Sequence, residues 1–359
     1  MLKTREFTRI IVFGVLCMAA SGVQAQSAVT LYGIVDNSLL FTSKSVDPAT
    51  GKNAGHRYSL TNGGLSPSVF GLKGSEDLGG GTSAIFALES GIDIANGGLA
   101  DSDGNFFGRE AWVGLAGDFG RVQMGVQFSP FLLSLVTTDP RNISYFGSEV
   151  PIYVGQLFAT GAYNPNAVSY TSPTLGGLQA KVMFALGGAA GDFQAGRQYS
   201  ASLTYTHGPL VVSAAMYDGN AGGTAATTPI PSTVPFTGRT IGASYNMGAL
   251  TVNAVFVNYK LAGSFDNRVF GAGFMYSFTP AVNFNAGAWY ISDGNDTNNR
   301  SILAAGGIVY SLSKATVLYS QVGFVNNRGK ADTGISTNGA LYAPAGSIIG
   351  ATVGIRHMF

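Results

Sequence analysis

Hydrophobic and polar residues take turns along most of this chain. In 178–186, Leu178, Ala180, Val182, Phe184 and Leu186 fall on one face and Gln179, Lys181, Met183 and Ala185 on the other. The next segment sets Tyr199, Ala201, Leu203 and Tyr205 against Ser200, Ser202, Thr204 and Thr206. Similar alternation runs through 210–217 and 240–247, and Phe270, Ala272, Phe274, Tyr276 and Phe278 stand opposite Gly271, Gly273 and Ser277. Successive side chains of a strand point to opposite faces, so a period of two predicts strands with one apolar and one water-compatible face. No convincing 3.6-residue periodicity appears, and the chain reads as all-β.

The connections alternate in length. Short turns fall near residues 77–81, 116–120, 172–176, 207–209, 247–249, 279–280 and 312–314. Long segments rich in Gly, Asn, Asp and Thr fall near 42–55, 94–105, 128–165, 187–196, 219–237, 262–267, 292–299 and 325–345. Short periplasmic turns with longer external loops are the habit of outer-membrane barrels. Seven turns and eight loops separate sixteen strands, an even number that closes an antiparallel sheet with both chain ends on one side. The last segment, 347–359, carries Ile349, Ala351, Val353, Ile355, His357 and Phe359 on one face and Thr352, Gly354 and Arg356 on the other. Pairing it with the first strand, near 29–41, would remove both sheet edges. The expected fold is an all-β, 16-stranded antiparallel transmembrane β-barrel.

Composition narrows the choice. Only 11% of the residues are charged, against about 25% in soluble domains, and 51 of 359 are glycine. Residues 1–25 read as a secretory leader: Lys3, Arg5 and Arg9 precede an apolar run over 10–20 and the small-residue cleavage pattern Val23-Gln24-Ala25. The barrel domain is then 26–359, starting at Gln26. Past the leader no run approaches eighteen apolar residues, which excludes spanning helices and leaves a membrane barrel to reconcile low charge with alternation. Cys17 follows the bulky Leu16, which argues against lipidation, and once the leader is removed no cysteine remains for a disulfide or thiolate metal site. A formal net charge of +1 implies no nucleic acid partner.

Several segments, spread in order over the chain, resemble the Gram-negative general porins of the Burkholderia, Bordetella and Neisseria type. They are Val29-Thr30-Leu31-Tyr32-Gly33-Ile34-Val35-Asp36, Gly71-Leu72-Lys73-Gly74-Ser75-Glu76-Asp77-Leu78-Gly79 and Phe107-Gly108-Arg109-Glu110-Ala111-Trp112-Val113-Gly114-Leu115. Asn166-Ala167-Val168-Ser169-Tyr170-Thr171-Ser172-Pro173 and the terminal Gly354-Ile355-Arg356-His357-Met358-Phe359 complete the set. The resemblance implies a homotrimer of barrels, each with its own pore, and a third external loop, roughly 128–165, folded inward to narrow it. It also implies that the terminal Arg356, His357 and Phe359 close the barrel, Phe359 being read by the barrel-insertion machinery. The chain departs from the family at Ser68-Val69 and at Gly125-Val126-Gln127, where relatives carry arginines near the constriction, so the relatives' anion preference is not carried over.

Charged rings and constriction width set channel selectivity. Lys73 shares a face with Val69 and Gly71, and Glu89 with Ser83 and Gly91, so both are expected to point into the lumen. Arg109 matches a basic position of the family, and Asp139, Arg141 and Glu149 are the ionisable residues of the third loop apart from tyrosines. These six are the pore or constriction candidates. The competing reading is that they form ladders between wall strands, or are satisfied away from the opening. Trp112 and Trp289 are read as membrane-interface anchors, Trp112 alternatively as a subunit contact. His56, His207 and His357 have no neighbours that would name a nucleophile or metal, and the glycine runs at 79–81 and 187–188 lack the Gly-Lys-Ser/Thr of a phosphate loop.

The expected function is an outer-membrane pore for passive diffusion of ions and small hydrophilic solutes, embedded in outer-membrane lipid, with no catalytic residue, metal or cofactor. A substrate-preferring porin, an outer-membrane barrel enzyme and an adhesin are the alternatives.

Overall fold

The computed structural model describes residues 28–102, 104–156, 162–223 and 234–359. The leader expected at 1–25, including Cys17, and the start at Gln26 lie outside these residues. No helix among the described residues is long and apolar enough to cross a membrane. The crossing elements are strands.

The first strand, β1 (Ala28–Thr42), is followed by β2 (Arg57–Asn62) and β3 (Val69–Gly79), which pair with successive halves of β1 and so make one wall position. β4 (Thr82–Asp93) carries a short loop hairpin with β5 (Gly98–Leu99) and pairs onward with β6 (Glu110–Gly117). β7 (Gly120–Phe128) ends at the third loop, which holds helices α1 (Pro130–Thr138) and α2 (Glu149–Gln156), and the chain returns through β8 (Tyr163–Thr171) and β9 (Leu178–Ala185). A meander follows: β10 (Gln198–His207), β11 (Leu210–Gly219), β12 (Phe236–Met247), β13 (Leu250–Leu261) and β14 (Asp266–Thr279). It continues through β15 (Val282–Asp293), β16 (Arg300–Ser311) and β17 (Thr316–Arg328). The last loop contains a ribbon of β18 (Thr333–Ser336) and β19 (Ala340–Tyr342), and β20 (Gly346–Met358) closes onto β1 from Ile34↔Met358 to Thr42↔Gly350. Counting β2 and β3 as one position, the barrel has 16 antiparallel strands.

The predicted faces hold. Leu178, Val182, Leu203, Ile241 and Phe270 lie exposed on the outside, while Ser200, Ser213 and Thr240 are buried inside. The break at 63–68 was not visible in the alternation. There the backbone N–H groups of Gly64, Leu65 and Ser66 donate to the Asp36 carboxylate at 3.2, 3.0 and 2.9 Å, and the Tyr319 hydroxyl donates to the same group. Gly63 supplies a positive φ of 78° at the bend, where a side chain would be strained. A strand edge interrupted this way would leave buried donors unpaired, and Asp36 takes them up.

The wall is uneven in height. β6 to β9 have 8 or 9 residues, whereas β12 to β17 and β20 have 12 to 14. At about 3.3 Å per residue and a tilt near 40°, the long strands rise roughly 30–35 Å and the short ones roughly 20–23 Å, on either side of the ~25 Å apolar band such barrels present. We call these the tall and the low wall.

Candidate pore and constriction site

The third loop lies inside the barrel, seated on β10 and β11 and on the tall wall beside them. Its first helix starts at Ser129, whose Oγ accepts from Leu132 N at 3.1 Å, with Pro130 in the first turn, where its missing N–H costs nothing. Phe131 N donates to Ser200 Oγ at 3.1 Å, and Ser134 and Ser213 share a hydroxyl hydrogen bond of 2.8 Å. Phe131, Tyr153, Tyr217, Phe236 and Tyr259 pack into one aromatic cluster between loop and wall. Glycines in the wall make the seat: a Cβ on Gly238 would meet the Phe131 ring at 2.7 Å, and one on Gly242 would meet Thr138 at 2.7 Å.

Arg141 is the latch. It is 1% exposed, and its guanidinium donates to Asn285 Oδ1 at 2.8 Å, Phe146 O at 2.6 Å, Gly147 O at 2.8 Å and Gln321 Oε1 at 2.6 Å. Gln321 in turn donates to Gly64 O at 2.9 Å, and Ser144 donates to the same carbonyl at 3.1 Å, which ties the loop to the break in the second wall position. Asp139, 2% exposed, accepts from the backbone N–H of Arg141, Ile143 and Glu149 at 2.7, 2.9 and 2.8 Å. It thereby holds Asn142 and Ile143 at a φ of 51°, a costly conformation for a β-branched residue. Glu149, 1% exposed, accepts from the Tyr259 hydroxyl at 2.7 Å.

Burial shifts all three charges. It pushes the Asp139 carboxyl up against the opposing pull of its three N–H donors, and lowers Arg141 to about 10. Glu149 rises to about 8 through burial, only partly offset by the Tyr259 hydrogen bond. The structure therefore puts Asp139, Arg141 and Glu149 between loop and wall, away from water.

The low wall and the strands leading into it, β1, β3 and β4, are different. Glu89 and Arg109 form an ion pair of 2.7 Å, with Tyr32 donating to Glu89 at 2.9 Å and Arg109 donating to Tyr163 at 2.6 Å. Both are 8% exposed, which matches the ladder reading. Lys73, by contrast, is exposed inside the barrel, 5.1 Å from the Tyr32 ring centre. Arg121 and Lys181 share an inward row with Thr171 between them and line a cavity of about 280 Å³ with Glu110, Trp112, Pro130 and Leu133. None of these three cations has a carboxylate within 4.0 Å among the described residues. Arg121 and Lys181 were not singled out from the sequence, although the alternation of 178–186 already set Lys181 on the polar face.

Both tryptophans correct the expectation. Trp289 is 1% exposed and faces the loop through Gly271 and Gly287, while Trp112 faces the lumen and donates to Glu110 at 3.1 Å. Neither touches the lipid side. At the other end of the lumen Arg356 lines a cavity of about 390 Å³ with Arg141, Asn246 and Asn283. His357 hydrogen-bonds Thr316 at 2.8 Å, and Phe359 exchanges backbone hydrogen bonds with Gly33 at 3.0 and 3.1 Å, completing the seam. No group of three His, Cys, Asp or Glu gathers to hold a metal ion among the described residues. The arrangement can sieve by width along α1 and bias ions by the charge of the low wall.

Comparison with known proteins gives a consistent outcome. Residues 13–330 match the family described as Gram-negative porin. The chain is 32% identical to Outer membrane porin protein 32 of Delftia acidovorans, over 95% of this chain and 97% of that protein. It is 30% identical to an outer membrane porin protein of Bordetella pertussis, over 72% and 66% of the two chains. The solved anion-selective porin from Comamonas acidovorans superposes with a TM-score of 0.78 at 27% identity, covering 93% of this chain and all of the other. An outer membrane protein of Vibrio cholerae, solved in a trimer form, shares the fold with a TM-score of 0.67 at 16% identity over 93% and 99%.

Proposed function

Because the chain belongs to the Gram-negative porin family and is an outer-membrane channel for passive diffusion, we propose that its water path runs between α1 and the low wall and prefers anions. Relatives in this family are channels rather than enzymes. The observation that carries the reading is the set of three inward cations, Lys73, Arg121 and Lys181, without ion-pair partners, opposite an uncharged helix whose Val136 is 38% exposed. A charged wall in a narrow lumen acts on passing ions with little screening, since the low-dielectric surroundings focus its field. The preference persists although Val69 and Val126 stand where relatives carry arginines. Asp139, Arg141 and Glu149 act on permeation indirectly, by fixing how far the loop projects.

A homotrimer is supported by the low wall, which falls short of the apolar band and is completed by a neighbour's wall. The rest of the surface meets outer-membrane lipid, residues 1–25 are removed on export, and the exposed Phe359 ring is available to the insertion machinery. Planar-bilayer recording under a salt gradient tests the reading. Current steps in groups of three with a reversal potential on the anion side are expected; a cation-side potential refutes the anion path, and single independent steps refute the trimer.

A further inference from the structure

The cavity between α1 and strands β6 to β9 holds polar side chains that the barrel itself leaves without partners. Arg121 stands near the start of β7 and Lys181 in β9, level with one another through Thr171, so both charges lie toward the short-turn end of the lumen. Neither side chain makes a hydrogen bond among the described residues, and the Arg121 Nε is buried without an acceptor. The Gln123 amide, on a residue 7% exposed, is likewise unpaired. By contrast, Ser169 donates to Gln127, which itself donates to Ala167 O at 3.1 Å. Buried donors without acceptors are costly, and an oxygen-bearing ligand relieves that cost.

The opposite end of the cavity carries one carboxylate. Glu110 starts β6, and Ala116, six residues further along, is the residue that pairs with Arg121. Six residues span roughly 20 Å of strand, and both side chains line the cavity between them. Glu110 Oε1 accepts from Trp112 Nε1 at 3.1 Å, while its second oxygen has no donor among the described residues. The stretch between the charged ends is apolar. Trp112 forms one side of it, and Phe128, Pro130 and Leu133 bring the end of β7 and the first turns of α1 to the other. Water alone would satisfy the donors but would gain nothing from these apolar surfaces. A volume of about 280 Å³ lies just below the ~300–1,000 Å³ of sites for drug-sized ligands, which leaves room for a single-ring molecule.

We propose that this cavity is a subsite for para-hydroxylated aromatic monocarboxylates, the hydroxybenzoate class, with the carboxylate on Arg121 and Lys181, the ring on Trp112 and the hydroxyl donating to Glu110. Its part in permeation rests on the water path running between α1 and the low wall. A guanidinium donates two parallel hydrogen bonds to a carboxylate, an indole offers a broad face to a ring, and a carboxylate is a strong acceptor for a phenol. Other small anions match fewer of these groups. Phosphate leaves the apolar stretch unused, a dicarboxylate sets its second charge against Glu110, and an α-amino acid brings its ammonium among the cations.

Two measurements on the full-length mature protein test the subsite: equilibrium dialysis in detergent, and interruption of single-channel current in planar bilayers. The probes are 4-hydroxybenzoate, benzoate, succinate and inorganic phosphate. 4-Hydroxybenzoate should bind at the lowest concentration, with benzoate roughly tenfold weaker because it offers Glu110 no donor. Arg121→Gln with Lys181→Gln should weaken both aromatic acids at least roughly tenfold, and Trp112→Ala should weaken both as well. Glu110→Gln should erase the preference for the hydroxylated acid without weakening benzoate, whereas a merely structural Glu110 would weaken both alike. Equal binding of the two aromatic acids, or succinate or phosphate binding as tightly as 4-hydroxybenzoate, overturns the ligand class. No binding of any probe, with the reversal potential still on the anion side, overturns the subsite and leaves the path standing. Binding that the Arg121 and Lys181 variant abolishes, yet that never interrupts current, supports the subsite and overturns the path. Should a variant not fold, the parent's ranking of the four probes decides.

Discussion

The low wall and the tall wall spend their inner surfaces in opposite ways. On the low wall and the strands beside it, three cations project into the lumen with no carboxylate within 4.0 Å among the described residues, and the ion pair there, Glu89 with Arg109, bridges neighbouring strands. On the tall wall, the inner face is hidden under the third loop and the loop's own charges are spent on holding it. Charge on a permeation surface is useful only where water reaches it. The same residue types therefore face the lumen on one side and act as fasteners on the other.

The contrast can be broken most severely at Arg141. Arg141→Ala withdraws the donor from four acceptors, of which Gln321 Oε1 keeps another in Ser144 at 2.8 Å; at roughly 1–3 kcal/mol for each of the other three buried groups the loop loses about 3 kcal/mol of attachment or more. Single-channel conductance should rise and become noisy; unchanged, quiet current would mean that the loop is held without its latch. Gly238→Leu attacks the seat from the wall side, since its side chain would enter the Phe131 ring. Overpacking of this kind costs about 1–3 kcal/mol, so the loop should shift toward the low wall, with lower conductance and an earlier melting transition. Replacing Lys73, Arg121 and Lys181 together by Gln leaves the loop in place and removes the charge. The anion-over-cation permeability ratio should fall by roughly tenfold, as for a change of ~1.4 kcal/mol, while the melting temperature holds.

The smallest effect belongs to Glu149. Its carboxyl in the folded protein titrates at about 8, above its ordinary value, so the folded state holds a proton that the unfolded chain gives up at lower pH. Stability is then full below the ordinary carboxylate range and declines as pH rises toward about 8. Melting curves from pH 5 to 9 should show that decline, and Glu149→Gln should flatten it; a slope that the variant leaves untouched assigns the titration elsewhere.

Most of the barrel was legible in the sequence because lipid and lumen impose a period of two. Leu178 and Val182 against Lys181 and Met183 could be assigned to faces without knowing any contact. The rule failed where the loop covers the wall, since there the inward residues are apolar as well. Val257, Tyr259, Val269, Trp289 and Leu303 are all fully or almost fully buried inside, so Trp289, between Ala288 and Tyr290, carries no alternation to read. The helices of the third loop, 9 and 8 residues long, are too short to show a period, although Ser129 and Pro130 are a helix-start signal. The orientation of Arg141 and Glu149 depends on Asn285, Gln321 and Tyr259, partners more than 100 residues away that no local pattern encodes, whereas Asp139 is held by N–H groups of its own loop.

The bond from Tyr319 to Asp36 spans 283 residues, and Arg141 reaches Gln321 across 180. Contacts of such separation form late, after closure of very long loops. The narrowing loop thus depends on the first and the penultimate strands having already met, so an unfinished barrel is a wide, unselective one. Assembly order, as much as side-chain chemistry, decides when this protein begins to discriminate.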